Sequence, residues 1–218
     1  MATSPLEKSA DCIVRYKGNE DPWGNRERGL YKRIFKKASE LAYEHLDKSD
    51  TINIYDIGCG GGNILDVWID NAPENCNINL TGCDISSDAI KFLNDRYPEG
   101  SFDLVDLEEY YANNPLVKLG SADIVSIVDI VYYFGTKRDY KDTLDEIWNT
   151  VRPGAIVVVA DNLIRHFRRD YLANKSDAIL LESFTDYSEK ICEEVNESGR
   201  KWNRYLKVRI IKKGEGTL

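Results

Sequence analysis

Four glycines fall within five positions, Gly58, Gly60, Gly61 and Gly62, directly after the apolar run 51–57 and directly before a helical stretch. Glycines at a strand-to-helix turn let the backbone approach a ligand closely, and the first amides of the helix point at whatever binds there. The next apolar run ends in Gly82-Cys83-Asp84. A carboxylate at the tip of a neighbouring strand is placed to accept both hydroxyls of a ribose. A third run ends Val105-Asp106-Leu107, where a carboxylate suits an adenine amino group. The glycine spacing is Gly58-x-Gly60-x-Gly62 and not the G-x-G-x-x-G that cradles a pyrophosphate. These residues describe a site for an adenosine cofactor other than a dinucleotide.

Placing them requires alternating strands and helices. Strands are expected at 51–57, 77–83, 101–105, 122–128 and 155–160, with helices at 61–71, 86–97, 136–151 and 163–181. Before the first strand, Leu30, Ile34, Phe35, Ala38, Leu41, Ala42 and Leu46 recur at the spacing of one helix face, and Lys32, Arg33, Lys36 and Lys37 fall on the solvated side. Ser86-Ser87-Asp88 is a helix N-cap cluster and Tyr97-Pro98-Glu99-Gly100 a stop. Strands apolar on both faces, alternating with helices, imply a parallel sheet covered on both sides. Two further strand-like runs, 188–195 and 201–211, flank Asn196-Glu-Ser-Gly199 and read as a terminal hairpin. The expected fold is therefore α/β: a doubly wound, mostly parallel seven-stranded sheet with a C-terminal antiparallel hairpin. Residues 25–218 make a single domain, and residues 1–24, with the Asp21-Pro22-Trp23-Gly24 turn, form a lead-in or lid.

In this order the motifs resemble those of the class I S-adenosylmethionine-dependent methyltransferases, over roughly residues 30–212. Asp56-Ile-Gly-Cys-Gly-Gly-Gly62 looks like the family's glycine motif, Asp84 its ribose-binding acid and Asp106 its adenine-contacting acid. Ala122-Asp-Ile-Val-Ser-Ile-Val-Asp129 resembles its fourth motif, and Arg152-Pro-Gly154 the turn before its fifth strand. The resemblance implies S-adenosylmethionine as cofactor, bound by Asp56, Gly58, Cys59, Gly60, Asp84, Ile85, Asp106, Leu107 and Asp129. Asp21-Pro-Trp23 and Asp129-Ile-Val-Tyr-Tyr133 are locally similar to nodulation-type N-methyltransferases, which methylate an amino sugar. This implies a small-molecule acceptor; Trp23, Tyr132 and Tyr133 either pack or line its site, where aromatic faces near a sulfonium gain about 0.5–2 kcal/mol.

Other residues keep two readings. Asp56 either accepts amides of the glycine turn or meets the amino-acid end of the cofactor. Cys59 is structural through its side chain. Asp129 and His166 are the candidate bases that relieve an amine of its proton. Arg165, Arg168 and Arg169 either clamp an acidic group or start a solvated helix. His45 packs structurally.

The charge of −8 repels phosphate backbones, and the Asn/Asp-Pro-Pro-Tyr motif of nucleic-acid amino methyltransferases is absent at Asp129-Ile130-Val131. No apolar run approaches the roughly 20 residues of a membrane span. Five cysteines form neither a CxxC pair nor a zinc-like spacing, which suggests free thiols, no metal and a cytoplasmic protein. A monomer or homodimer is expected. An O-methyltransferase, a nicotinamide-dependent oxidoreductase and a cofactor-binding module without turnover are the rival readings.

Overall fold

The computed structural model describes residues 13–22, 24–26, 28–108, 115–135, 138–162, 166–187, 192–195 and 201–215. Strands β1 (Thr51–Ile57), β2 (Asn77–Asp84), β3 (Ser101–Leu104), β4 (Ile124–Val128) and β5 (Ile156–Asn162) pair in parallel. Beyond them come β6 (Ala178–Thr185), β7 (Cys192–Val195), β8 (Lys201–Arg204) and β9 (Leu206–Lys213). The seven-stranded sheet runs β3-β2-β1-β4-β5-β9-β6, and β9 is antiparallel to both its neighbours. The sheet reverses its winding at β1 and β4, so the carboxyl ends of these two strands open the crevice where α/β sheets bind ligands.

Helices α1 (Gly29–Glu44), α2 (Asn63–Asp70), α3 (Ser87–Arg96), α4 (Tyr140–Thr150) and α5 (His166–Ala173) cover both faces. Ile52 and Ile54 of β1 pack with Ile34 and Phe35 of α1 and Trp68 of α2. Tyr55 and Ile57 face the other way, against Leu144 and Trp148 of α4. Two cores on one sheet are what strands with no polar face require. Helix α1 buries Leu30, Tyr31, Ile34, Phe35, Ala38, Ser39 and Ala42, and Lys32, Arg33, Lys36 and Lys37 are exposed, as the spacing predicts. Ser86 caps α3 by accepting from the Ala89 amide at 3.3 Å.

The C-terminal part differs from the expectation. The helix expected at 163–181 is present only as α5, and residues 178–185 are the edge strand of the main sheet. The run at 188–195 supplies β7, which pairs with β8 in a separate two-stranded sheet. The seventh strand of the main sheet is thus β6, and its antiparallel partner is β9. An edge strand has only one neighbour. Ile179 and Leu180 are half exposed, and a register shift at Leu180/Glu182 breaks the alternation, so β6 carries no period-2 signal. The expected turn at 196–199 lies outside the described residues.

Candidate active site

The turn after β1 is held by its neighbour strand. The amides of Gly58 and Cys59 both donate to the Cys83 carbonyl, at 2.8 and 3.0 Å. Gly58 and Gly60 have φ of 72° and 50°, the left-handed region where a side chain is strained. A Cβ on Gly58 would also stand 2.5 Å from the Ile130 side chain. The turn ends at Gly62, from which α2 starts.

Asp84 ends β2 beside this turn, 8% exposed. Its Oδ2 accepts from the Gly60 amide at 2.9 Å and its Oδ1 from the Ser86 amide at 2.8 Å. Burial raises its pKa, opposed by these backbone donors. A carboxylate offers about four acceptor positions, so capacity remains for a ligand hydroxyl after the amides are served. The acid that holds the glycine turn is therefore Asp84. Asp56 instead accepts from the Ser126 hydroxyl at 2.5 Å, across the β1–β4 register. It is 2% exposed, and burial pushes its pKa up to about 7.

A cleft open in part to solvent is lined by Gly58, Asp84, Ile85, Asp106, Leu107 and Tyr133, together with Cys83, Val105, Glu108, Ile130 and Phe134. Asp106 Oδ1 accepts from the Glu108 amide at 2.9 Å, fixing the loop after β3. Arg138 donates to the Leu107 carbonyl at 2.9 Å and pairs with Glu146 at 2.7 Å, and Glu108 accepts from the Gly135 amide. These bonds tie the loop after β3 to the loop after β4 and make the far wall of the cavity.

Asp56, Cys59, Gly60 and Asp129 do not line this cavity. Cys59 is 5% exposed, and burial raises its thiol pKa well above the ordinary value, which fits a packing role. Gly60 and Gly61 lie under the lead-in: a Cβ on Gly60 would overlap the Tyr16 hydroxyl, and one on Gly61 the Glu20 carbonyl. The lead-in is fastened by Asp21, whose oxygens accept from the Asn25 and Arg26 amides at 3.0 Å and from Asn63 Nδ2 at 2.9 Å. Arg26 donates to the Gly61 carbonyl at 3.0 Å and pairs with Glu20.

Asp129, just past β4, has φ 52° and donates its amide to the Ala160 carbonyl at 2.8 Å. Its Oδ2 accepts from the Tyr31 hydroxyl of α1. Its Oδ1 is buried and finds no hydrogen-bond partner among the described residues. Burial raises its pKa to about 6, with the Tyr31 bond and the Arg28 charge acting against the rise. Asp161, at the end of β5, is 1% exposed. Tyr31 and Asp161 are not among the expected residues. Asp161 had the same signal as Asp84, an acid ending an apolar strand, whereas Tyr31 sits on the apolar face of α1 and reads as core.

Trp23 and Arg165 lie outside the described residues, and only the backbone of Tyr132 and His166 is described. Tyr133 stands on the wall shared with Asp84 and Asp106. Among the described residues no cluster of His, Cys, Asp or Glu could hold a metal ion, and no helix is long and apolar enough to cross a membrane.

Residues 55–157 match the family described as a methyltransferase domain. No curated protein sequence matches the chain. Among solved structures, the N-methyltransferase NodS from Bradyrhizobium japonicum WM9, in complex with S-adenosylhomocysteine, is similar with a TM-score of 0.65 and 14% identity, over 95% of this chain and 98% of that one. The plantazolicin methyltransferase BpumL, also with S-adenosylhomocysteine, gives 0.59 and 16% over 96% and 99%. The [4+2]-cyclase SpnF gives 0.55 and 13% over 97% and 92%. At such identities the likeness is one of fold, and a cyclase among the matches means that the reaction must be argued from the site.

Proposed function

We propose, from the match of residues 55–157 to a methyltransferase domain, that the protein transfers a methyl group from S-adenosylmethionine to the nitrogen of a small polar amine. The observation that carries the cofactor is that Gly58, Asp84, Ile85, Asp106 and Leu107 line one cleft. Asp84 keeps acceptor capacity for a ribose hydroxyl, Asp106 would read an adenine amino group, and the bare Cα of Gly58 lets the Ile130 side chain close against the turn. Ile85 and Leu107 supply apolar contact for the adenine faces, and Tyr133 an aromatic wall beside them.

When bound, S-adenosylmethionine supplies a methyl carbon already activated by a positively charged sulfur. The chain's own task is alignment, exclusion of water and control of one proton, and alignment alone is worth about 7–11 kcal/mol. Tyr16 and Glu20 cover the glycine turn and exclude water from that end. Asp129 is the base that supports an amine acceptor: with a pKa near 6 it is ionised at neutral pH and still basic enough to accept a proton. Tyr132, Trp23, Arg165 and His166 remain proposed for the acceptor side. The eight excess negative charges draw an ammonium toward the protein and oppose a nucleic-acid acceptor.

Incubation with methyl-labelled S-adenosylmethionine and a panel of small amines and their hydroxyl counterparts tests this reading. Label appearing in an amine supports it; label only in hydroxyl compounds, or in RNA, overturns it.

A further inference from the structure

Strands β4 and β5 are neighbours; Asp129 directly follows the first, and Asp161, near the end of the second, is 1% exposed. Tyr31 of α1 reaches Asp129. Its hydroxyl donates to Asp129 Oδ2, and its ring is buried, 6% exposed. Burial and then the Asp129 charge raise the Tyr31 pKa well above its ordinary value, and the Asp161 charge acts in the same direction, so the phenol stays protonated and remains a donor. Arg28, at the start of α1, lies with its guanidinium carbon 5.7 Å from the Tyr31 ring centre. Asp129 is further fixed by its left-handed backbone and its amide bond to Ala160. With one oxygen held this firmly, Oδ1 is left buried without a partner among the described residues, and such an atom calls for an occupant.

We propose that Tyr31 is a positioning residue of the acceptor site, which holds Oδ2 of Asp129 so that Oδ1 receives an N–H of the acceptor. The inference rests on the N-methylation reading and adds to it the residue that orients the base. The ammonium gives one proton to Oδ1. The freed lone pair then forms the N–C bond to the methyl carbon as the C–S bond breaks, with its electron pair staying on sulfur. Among the described residues, the groups that act on the Asp129 charge are Tyr31 of α1 and Arg28 just before it, and Asp161 lies on the neighbouring strand β5.

The test is a carboxyl-carbon NMR titration of the full chain saturated with S-adenosylhomocysteine and labelled at aspartate. In Tyr31→Phe the Asp129 midpoint rises by about one pH unit, because a bond that favours the ionised form is gone. Ethanolammonium and glucosamine perturb the Asp129 signal saturably in wild type and about tenfold more weakly in Tyr31→Phe. An unmoved midpoint in Tyr31→Phe, or equal binding of these amines by the two proteins, overturns the positioning role. Failure of S-adenosylhomocysteine to bind would instead overturn the underlying methyltransferase reading, and the Tyr31→Phe midpoint measured without it still tests the pair.

Discussion

The two halves of the crevice hold their acids in different ways. On the β1–β3 side, Asp84 is clamped by two backbone amides within a few residues of strand ends, and Asp106 by one. On the β4–β5 side, Asp129 is held by a phenol 98 positions earlier in the chain and keeps one oxygen without a partner among the described residues. A carboxylate served by backbone donors is rigid before any ligand arrives, which suits a part that is the same in every turnover. A carboxylate with an open buried oxygen is incomplete until the acceptor comes, which suits the part that must discriminate. The first side is built for constancy and the second for selection.

The comparison breaks if an acceptor-side change acts like a cofactor-side one. Asp129→Asn keeps the shape but cannot take a proton, so kcat should fall by about 10²–10⁴-fold. Wild-type activity should rise with pH through about 6 as Asp129 ionises, and this limb should vanish in the variant. Steady-state rates over pH 5–9 check both; an Asp129→Asn enzyme with full activity and an unchanged acid limb removes Asp129 from the chemistry.

The lead-in belongs to neither half, since it lies over Gly60 and Gly61 at the seam. Asp21→Ala releases three hydrogen bonds that fasten it, and deletion of residues 1–24 removes it. Turnover should drop about tenfold or more on deletion and less in Asp21→Ala, while thermal unfolding of the remaining domain shifts by only a few degrees. Loss of folding in parallel with activity would make the segment a structural strap.

The smallest effect concerns stability. Asp56 is buried, and its folded pKa of about 7 lies above its ordinary value. The folded state therefore holds this proton more tightly than the unfolded one, so the contribution of Asp56 is fully present below about pH 4 and is lost as pH rises through 7. Asp56→Asn, which can still accept from Ser126, should flatten that decline and raise the melting temperature at pH 8 by a few degrees relative to pH 5. Identical pH dependence in both proteins would mean that Asp56 stays ionised throughout.

The same division governs what could be read from the sequence. Asp84, Ile85, Asp106, Leu107 and Gly58 were legible because each follows the end of an apolar strand or sits in a glycine run, and local order alone brings them to one cavity. Tyr31 was not legible, because its partner is set by how α1 lies across the sheet, and an apolar helix face gives no sign that one phenol is a donor. Edge strand β6 was hidden for a related reason: exposed on much of both faces, it is not forced into alternation. The glycine turn itself was read correctly, but its supporting acid is Asp84 and not Asp56, because the nearest carboxylate in sequence points toward Ser126 on the neighbouring strand.

The central claim is that the cofactor is held on one side of the crevice and the acceptor is chosen on the other. Calorimetric titration of S-adenosylhomocysteine into wild type, Asp84→Ala, Asp106→Ala and Asp129→Asn tests it most directly. Loss of charge-assisted hydrogen bonds of about 1.5–3 kcal/mol should weaken Asp84→Ala by roughly ten- to a hundredfold and Asp106→Ala by less, with Asp129→Asn within about twofold of wild type. Equal weakening in Asp84→Ala and Asp129→Asn, or unchanged binding in Asp84→Ala, would contradict the account.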